Sequence, residues 1–219
     1  MKQQSKSYTI ALIIALMALT LSAAIAVPLL WRGFYYLHID ALGLPDKTGW
    51  TAEEIRYGFD EMMDYCVFHQ EFGTGVMKWS EEGKAHFADC EVLFRMDFTA
   101  LAVALAAVLL LWSMRREYET VSFGGRGPLF WAGGILAGLF VVIGGLGALD
   151  FDRTFVIFHS LFFPGKSNWI FDWRVDEIIL VLPQVVFRNY AILIVGLLLL
   201  GCIGLMLLDK KTKEKALLR

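Results

Sequence analysis

The sequence predicts an all-α polytopic membrane protein. Four transmembrane helices carry two structured extracytoplasmic segments that form a helical cap at the membrane surface. Three observations lead there. Of the 219 residues, 57% are hydrophobic and only 19% charged, more apolar and less charged than a soluble domain. Four stretches contain no Asp, Glu, Lys, Arg or His: 8–31, 98–114, 129–149 and 191–208. The basic residues also cluster beside the ends of those stretches.

Each apolar stretch reaches the roughly 17 to 20 residues that span a bilayer. Each is expected to be helical, because lipid offers no partner to an open backbone. The first stretch has some features of a cleaved signal peptide: Lys2 and Lys6 before it, and Ala24-Ile25-Ala26 within it. Its apolar run continues through Val27-Pro28-Leu29-Leu30-Trp31, longer than a signal core. It is read as a retained helix, and residues 1–219 as one integral membrane domain.

Orientation follows from charge. Lys2 and Lys6, then Arg115, Arg116 and Arg126, then Lys210, Lys211, Lys213, Lys215 and Arg219 make up half of the 20 basic residues, in three short segments. The positive-inside rule puts both termini in the cytoplasm. Segments 32–97 and 150–190 then face outward.

These outward segments are too long and too aromatic to be spacers. In the first, Thr51-Ala52-Glu53-Glu54 reads as a capping box. Ile55, Phe59, Met62, Met63 and Cys66 follow at helical spacing. Ser80-Glu81-Glu82 marks a second helix start, with two acids suited to the helix dipole. No Pro or Gly occurs between Lys84 and Met114, so one helix is expected to run from this segment into the second span. His86 and Asp89, three apart, share a face of it.

In the second segment, Pro164-Gly165 marks a turn. Val175, Ile178, Ile179 and Leu182 predict a short amphipathic helix over 172–182, stopped by Pro183. The surrounding Phe and Trp residues suit the membrane interface. Gly134 and Gly138 form a GxxxG spacing in the third span, read as intramolecular packing.

No GxSxG, HExxH, P-loop or GxGxxG is present. Cys66, Cys90 and Cys202 contain no CxxC pair. Cys66 and Cys90 fall in one outward segment and are either a disulfide or two buried thiols. None of the four histidines lies in a span, which argues against a membrane haem. His38 reads as an interfacial anchor and His69 as a helix-end or surface residue. His86 has a carboxylate on its own face. His159 sits among aromatic residues that would keep it neutral and able to accept a proton.

The segment Phe158-His159-Ser160-Leu161-Phe162-Phe163, then Asn168-Trp169-Ile170-Phe171-Asp172, Asp176 and Leu182-Pro183, resembles the signature of the bacterial lipoprotein intramolecular transacylases. Met62-Met63-Asp64-Tyr65 and His86-Phe87-Ala88-Asp89 are similar to earlier pieces of it. The resemblance covers most of the chain, in order. It departs at Cys90-Glu91, where an aliphatic and then a basic residue would be expected.

The resemblance implies an enzyme of the bacterial plasma membrane. It would move the sn-2 acyl chain of an S-diacylglyceryl group to the α-amine of the same lipoprotein N-terminal cysteine. The product is an N-acyl, lyso-form lipoprotein. His86 and His159 would be the catalytic pair, with Asp89, Asn168, Trp169 and Asp172 supporting them. His159 is read as the base, and His86, held by Asp89, as the group that polarises the carbonyl or protonates the leaving alkoxide; the reverse assignment stays open. The expected partners are diacylglyceryl-modified lipoproteins and membrane lipid, not nucleic acid. No cofactor, metal or covalent acyl-enzyme is expected. Alternatives are an acyltransferase for bulk membrane lipid, a non-enzymatic scaffold or transporter subunit, and a metal site using His86, Asp89 and His159.

Overall fold

A computed structural model of the chain describes residues 2–217; Arg219 of the basic tail, with Met1 and Leu218, lies outside the described residues. Helices dominate: α1 (Lys6–Leu30), α2 (Gly33–Ala41), α3 (Leu44–Thr48), α4 (Ala52–Phe68), α5 (Glu81–Ser113), α6 (Pro128–Leu149), α7 (Phe151–Phe162), α8 (Ile178–Val181) and α9 (Gln184–Leu217). Four helical stretches are long and apolar enough to cross a membrane: Lys6–Leu30, Glu81–Arg116, Pro128–Leu149 and Gln184–Thr212. Two three-residue strands, β1 (Gln3–Ser5) and β2 (Tyr118–Thr120), pair in parallel. Among the described residues these strands and an isolated bridge between Phe123 and Arg126 depart from an all-helical reading, and they use backbone groups that short polar segments would otherwise leave unpaired.

The chain divides into two compact units. The first takes in residues up to Ile25, Asp97–Leu146, and those from Leu193 onward. Its small apolar core joins Ala24, Leu136, Leu198 and Cys202. The close approach is made at Gly133, where a Cβ would come within 2.6 Å of the Cys202 carbonyl oxygen. Gly134 and Gly138 face open space, so the GxxxG pair is not an intramolecular contact. Spacing identifies a groove but not the helix face that meets a neighbour.

The second unit, Ala26–Met96 and Gly147–Ile192, holds the larger core. Tyr35 stacks on Phe59 with centroids 3.7 Å apart, and its hydroxyl donates to the Val181 carbonyl at 2.9 Å. Ile39, Ile55, Met62, Cys66, Phe87 and Ile178 close around them. The predicted capping box forms: Thr51 accepts from the Glu54 amide while the Glu54 carboxylate accepts from the Thr51 amide. Helix α5 runs without a break from Glu81 to Ser113, as its lack of Pro and late Gly predicts. Its uncharged run begins only at Phe98. The first half carries Glu81, Glu82, Lys84, Asp89, Glu91 and Arg95 and lies outside that run.

The helix predicted over 172–182 is shorter than its pattern. Only Ile178–Val181 is α-helical. The Glu177 amide donates to the Lys78 carbonyl at 2.9 Å, and the Asp176 carboxylate is drawn to Ser80. Those bonds hold the backbone before 178 away from helical continuation.

Candidate active site

The site is built from the first part of α5, up to Met96, from α7 and from the loop after α7, residues that lie in the second unit. Ser80 sets where α5 begins. Its hydroxyl accepts from the Gly83 amide at 3.0 Å, the N-cap arrangement. The Asp176 carboxylate in turn accepts from the Ser80 amide and hydroxyl at 2.8 and 2.9 Å. A carboxylate at a helix N-terminus also complements the helix dipole. Gly83 leaves the room it needs, since a Cβ there would overlap Asp176 and come within 3.2 Å of the Phe171 ring. This clamp fixes the register of the helix that carries His86, Asp89 and Cys90.

Helix α7 starts at Asp150, whose side chain accepts from the Arg153 amide at 2.9 Å. Its faces are inverted relative to a helix of a soluble core. Val156, Ile157, Phe158, Leu161 and Phe162 are exposed, while His159 is only 7% exposed. A helix built this way suits a lipid contact on its outer face.

His86 and His159 meet. Their ring centroids are 5.9 Å apart, although the residues are far apart in sequence. His86 is 6% exposed and lies edge-on to Phe163 and Phe171 at 5.0 and 5.5 Å. His159 packs against Phe155 at 4.2 Å and Trp169 at 4.5 Å. Burial lowers the pKa of both imidazoles. For His86 burial acts first and the neighbouring His159 second; Asp89 opposes them only in part, and the ring is pushed down to about 4. For His159 the bond to Phe155 opposes burial without overcoming it. Both rings are therefore neutral at neutral pH.

The hydrogen bonds fix one tautomer. His159 Nδ1 lies 2.7 Å from the Phe155 carbonyl oxygen. That oxygen can only accept, so Nδ1 carries the proton and Nε2 the free lone pair. His86 Nδ1 is buried with no hydrogen-bond partner, and so is Asn168 Oδ1. Most buried polar groups are paired, so two orphans in one site need a reason.

Asp89 does not hold the His86 ring as expected. Its carboxylate pairs with Lys166 and accepts from Asn168 Nδ2 at 3.2 Å, which ties the loop after α7 to α5. Burial pushes the Asp89 carboxyl up, but the Lys166 and Asn168 hydrogen bonds outweigh it and hold it below the usual carboxylate range. The short side chain meets the loop on the helix face it shares with His86. Trp169 donates to the Lys166 carbonyl at 3.1 Å and lies against His159. Asp172 is not brought to the pair: its carboxylate engages Arg174, two residues on. Lys166 and Asp176 are the groups sequence reasoning assigned no role. A lone basic residue beside Pro164-Gly165 was the available signal for the first.

His38 is fully satisfied, with Nδ1 at 2.8 Å from the Phe34 carbonyl and Nε2 at 2.9 Å from Asn189 Nδ2. His69 caps the C-terminus of α4 with φ 56° and pairs with Glu91 at 2.9 Å. Cys66 and Cys90 are free thiols. Among the described residues no group of three or more His, Cys, Asp or Glu side chains is placed to hold a metal.

The family model described as lipoprotein intramolecular transacylase Lit matches residues 9–187, a span that contains every residue of this site. Among solved structures, the membrane-integral lipoprotein intramolecular transacylase Lit from Bacillus cereus superposes with a TM-score of 0.86 at 23% identity, covering 97% of this chain and 97% of that one. Two variants of that Bacillus cereus protein also match, one with a histidine replaced by arginine and one with a histidine replaced by alanine. Their TM-scores are 0.80 and 0.81 at 21% and 20% identity, over 97% of this chain and 93% and 94% of theirs. At such identity the likeness is one of fold. No curated protein matches the chain. The family match extends over well more than half of the sequence, and the chain belongs to the lipoprotein intramolecular transacylase family of membrane acyltransferases.

Proposed function

We propose that this protein moves the sn-2 acyl chain of a lipoprotein's S-diacylglyceryl group onto the α-amine of the same N-terminal cysteine, leaving an N-acyl, lyso-form lipoprotein. The observation that carries this reading is the buried pair of neutral imidazoles, 5.9 Å apart, one with a free lone pair and one with an unpartnered nitrogen. Two imidazoles this close can act on the nitrogen and the oxygen of one reacting carbon.

The incoming ammonium gives one proton to solvent and binds as the amine. Its nitrogen attacks the ester carbon, forming the N–C bond. His159 Nε2 accepts the second proton from nitrogen as that bond forms. His86 Nδ1, as an N–H donor, holds the oxyanion. Collapse breaks the bond from carbon to glycerol oxygen, and the His159 imidazolium returns its proton to that oxygen. No covalent acyl-enzyme or energy source is needed, because nucleophile and ester sit on one molecule and ester-to-amide transfer is downhill. Asp89, Lys166, Asn168 and Trp169 support the loop that borders His159. Asp172 supports that loop only through its own turn with Arg174.

The same reading places residues 1–219 in one integral membrane domain of the bacterial plasma membrane, with both termini cytoplasmic and the histidine pair outside. The basic residues flanking the apolar stretches support it.

The test is mass spectrometry of lipoprotein N-terminal peptides from a strain that makes only diacylglyceryl lipoproteins. Expression of this protein should shift one acyl chain from glycerol to the α-amine. His159→Ala at matched membrane levels should slow that by about 10²–10⁴-fold, the scale of a lost general base. Unchanged peptides with altered bulk phospholipid would move the assignment to a lipid acyltransferase.

A further inference from the structure

We infer that Cys90 is a positioning residue that fixes the tautomer of His86 and so decides which ring nitrogen His86 presents to the reaction. The inference rests on the transacylase reading above. It explains why a thiol stands where the family pattern would have an aliphatic side chain.

Cys90 follows His86 by one helical turn, so the two side chains share a face of α5. Cys90 Sγ lies 3.6 Å from His86 Nε2. The thiol keeps its proton, because burial pushes it up to about 12. A protonated thiol beside a neutral imidazole donates, and Nε2 accepts. The ring proton must then be on Nδ1, the nitrogen that is buried without a partner. An unpartnered N–H in a site ringed by Phe163, Phe171 and His159 is the group an oxyanion requires. With the proton on Nε2 instead, Nδ1 would present a lone pair and repel the same oxygen.

Among the described residues no other hydrogen bond is made to Nε2. The Asp89 carboxylate is taken by Lys166 and Asn168, and the Cys66 thiol donates to the Phe87 carbonyl at 3.7 Å. One weak bond from sulfur therefore separates a donor from an acceptor at the reacting carbon.

The test uses full-length protein in nanodiscs with 15N-labelled histidine. Ring-nitrogen chemical shifts report the His86 tautomer, and lipoprotein peptides report the transfer rate. Wild type and Cys90→Ser, which keeps a donor, should show the proton on Nδ1. In Cys90→Val the proton should redistribute between the nitrogens. The rate at saturating lipoprotein should fall about fivefold, the population change expected from losing one hydrogen bond. KM should stay unchanged, and Cys90→Ser should restore the rate. Should Cys90→Val fail to fold, Cys90→Ala makes the same comparison.

An unchanged tautomer in folded Cys90→Val would overturn the inference. So would an acyl thioester on Cys90 released by hydroxylamine, which would make the thiol a nucleophile instead. A wild-type protein inactive on lipoproteins would count against the transacylase reading alone, because the nitrogen shifts decide the tautomer without turnover.

Discussion

His159 commits one nitrogen to its own helix and leaves the other its lone pair, and under the proposed mechanism this division has a pH signature. Burial lowers the pKa of both histidines, to about 4 for His86. A protonated imidazole cannot accept the amine proton. At saturating lipoprotein, where the substrate is already bound as the amine, the acid limb of the rate should thus be centred below 6.5, the ordinary histidine value. A rate–pH profile of the purified enzyme checks this, and an acid limb centred at or above 6.5 would contradict it. The two histidines were legible in the sequence from residue type, aromatic setting and motif. Their meeting was not, because nothing in spacing brings two helices together. The hydrogen-bond partners of Asp89 were hidden for a related reason. A shared helix face makes contact with His86 possible, but Lys166 and Asn168, from a distant loop, claimed the carboxylate.

At the scale of the element, α5 was legible almost to its first residue, from Ser80, the two acids after it and the absence of later breakers. What the sequence did not disclose is that its cap is itself capped. Asp176 reaches Ser80 from 96 residues away. Asp176→Asn removes the charge at the helix start and weakens the bonds to Ser80. The expected loss is about 1 kcal/mol of stability, the scale of a damaged cap. It should appear as a lower thermal midpoint in detergent, with activity falling alongside because the register of His86 loosens. An unchanged midpoint would mean the clamp contributes nothing. Helix α8 is the reverse case. Its apolar spacing called for eleven residues, and the structure uses Ile178–Val181 because Lys78 and Ser80 hold the preceding backbone and side chain. Local periodicity cannot register such a long-range competitor.

For the whole molecule, the number and approximate place of the membrane helices could be read directly from charge-free runs. Which glycines pack could not: the close contact falls at Gly133, one residue before the GxxxG pair. The orientation inferred from basic residues carries its own test. Ser167 and Ser122 are both exposed and lie in segments assigned to opposite faces. In intact cells, Ser167→Cys should react with a membrane-impermeant maleimide, and Ser122→Cys should react only after permeabilisation. The opposite pattern would invert the topology.

The aromatic rings against His159 bear finally on the fate of the acyl group. A base able to take a proton from an amine can take one from water just as readily, and water would yield a free fatty acid rather than an amide. What separates the two outcomes is which acceptor reaches the lone pair. Phe155 and Trp169 cover the ring at 4.2 and 4.5 Å, and α7 turns its apolar side chains outward around it. Under the proposed mechanism the wall would act as a filter on the nucleophile, so product purity and rate would be separable properties. Trp169→Ala should keep a measurable transfer rate yet release fatty acid alongside the N-acyl lipoprotein. Chromatography of the released lipids would reveal it, and a product as clean as wild type would show that the exclusion of water lies elsewhere.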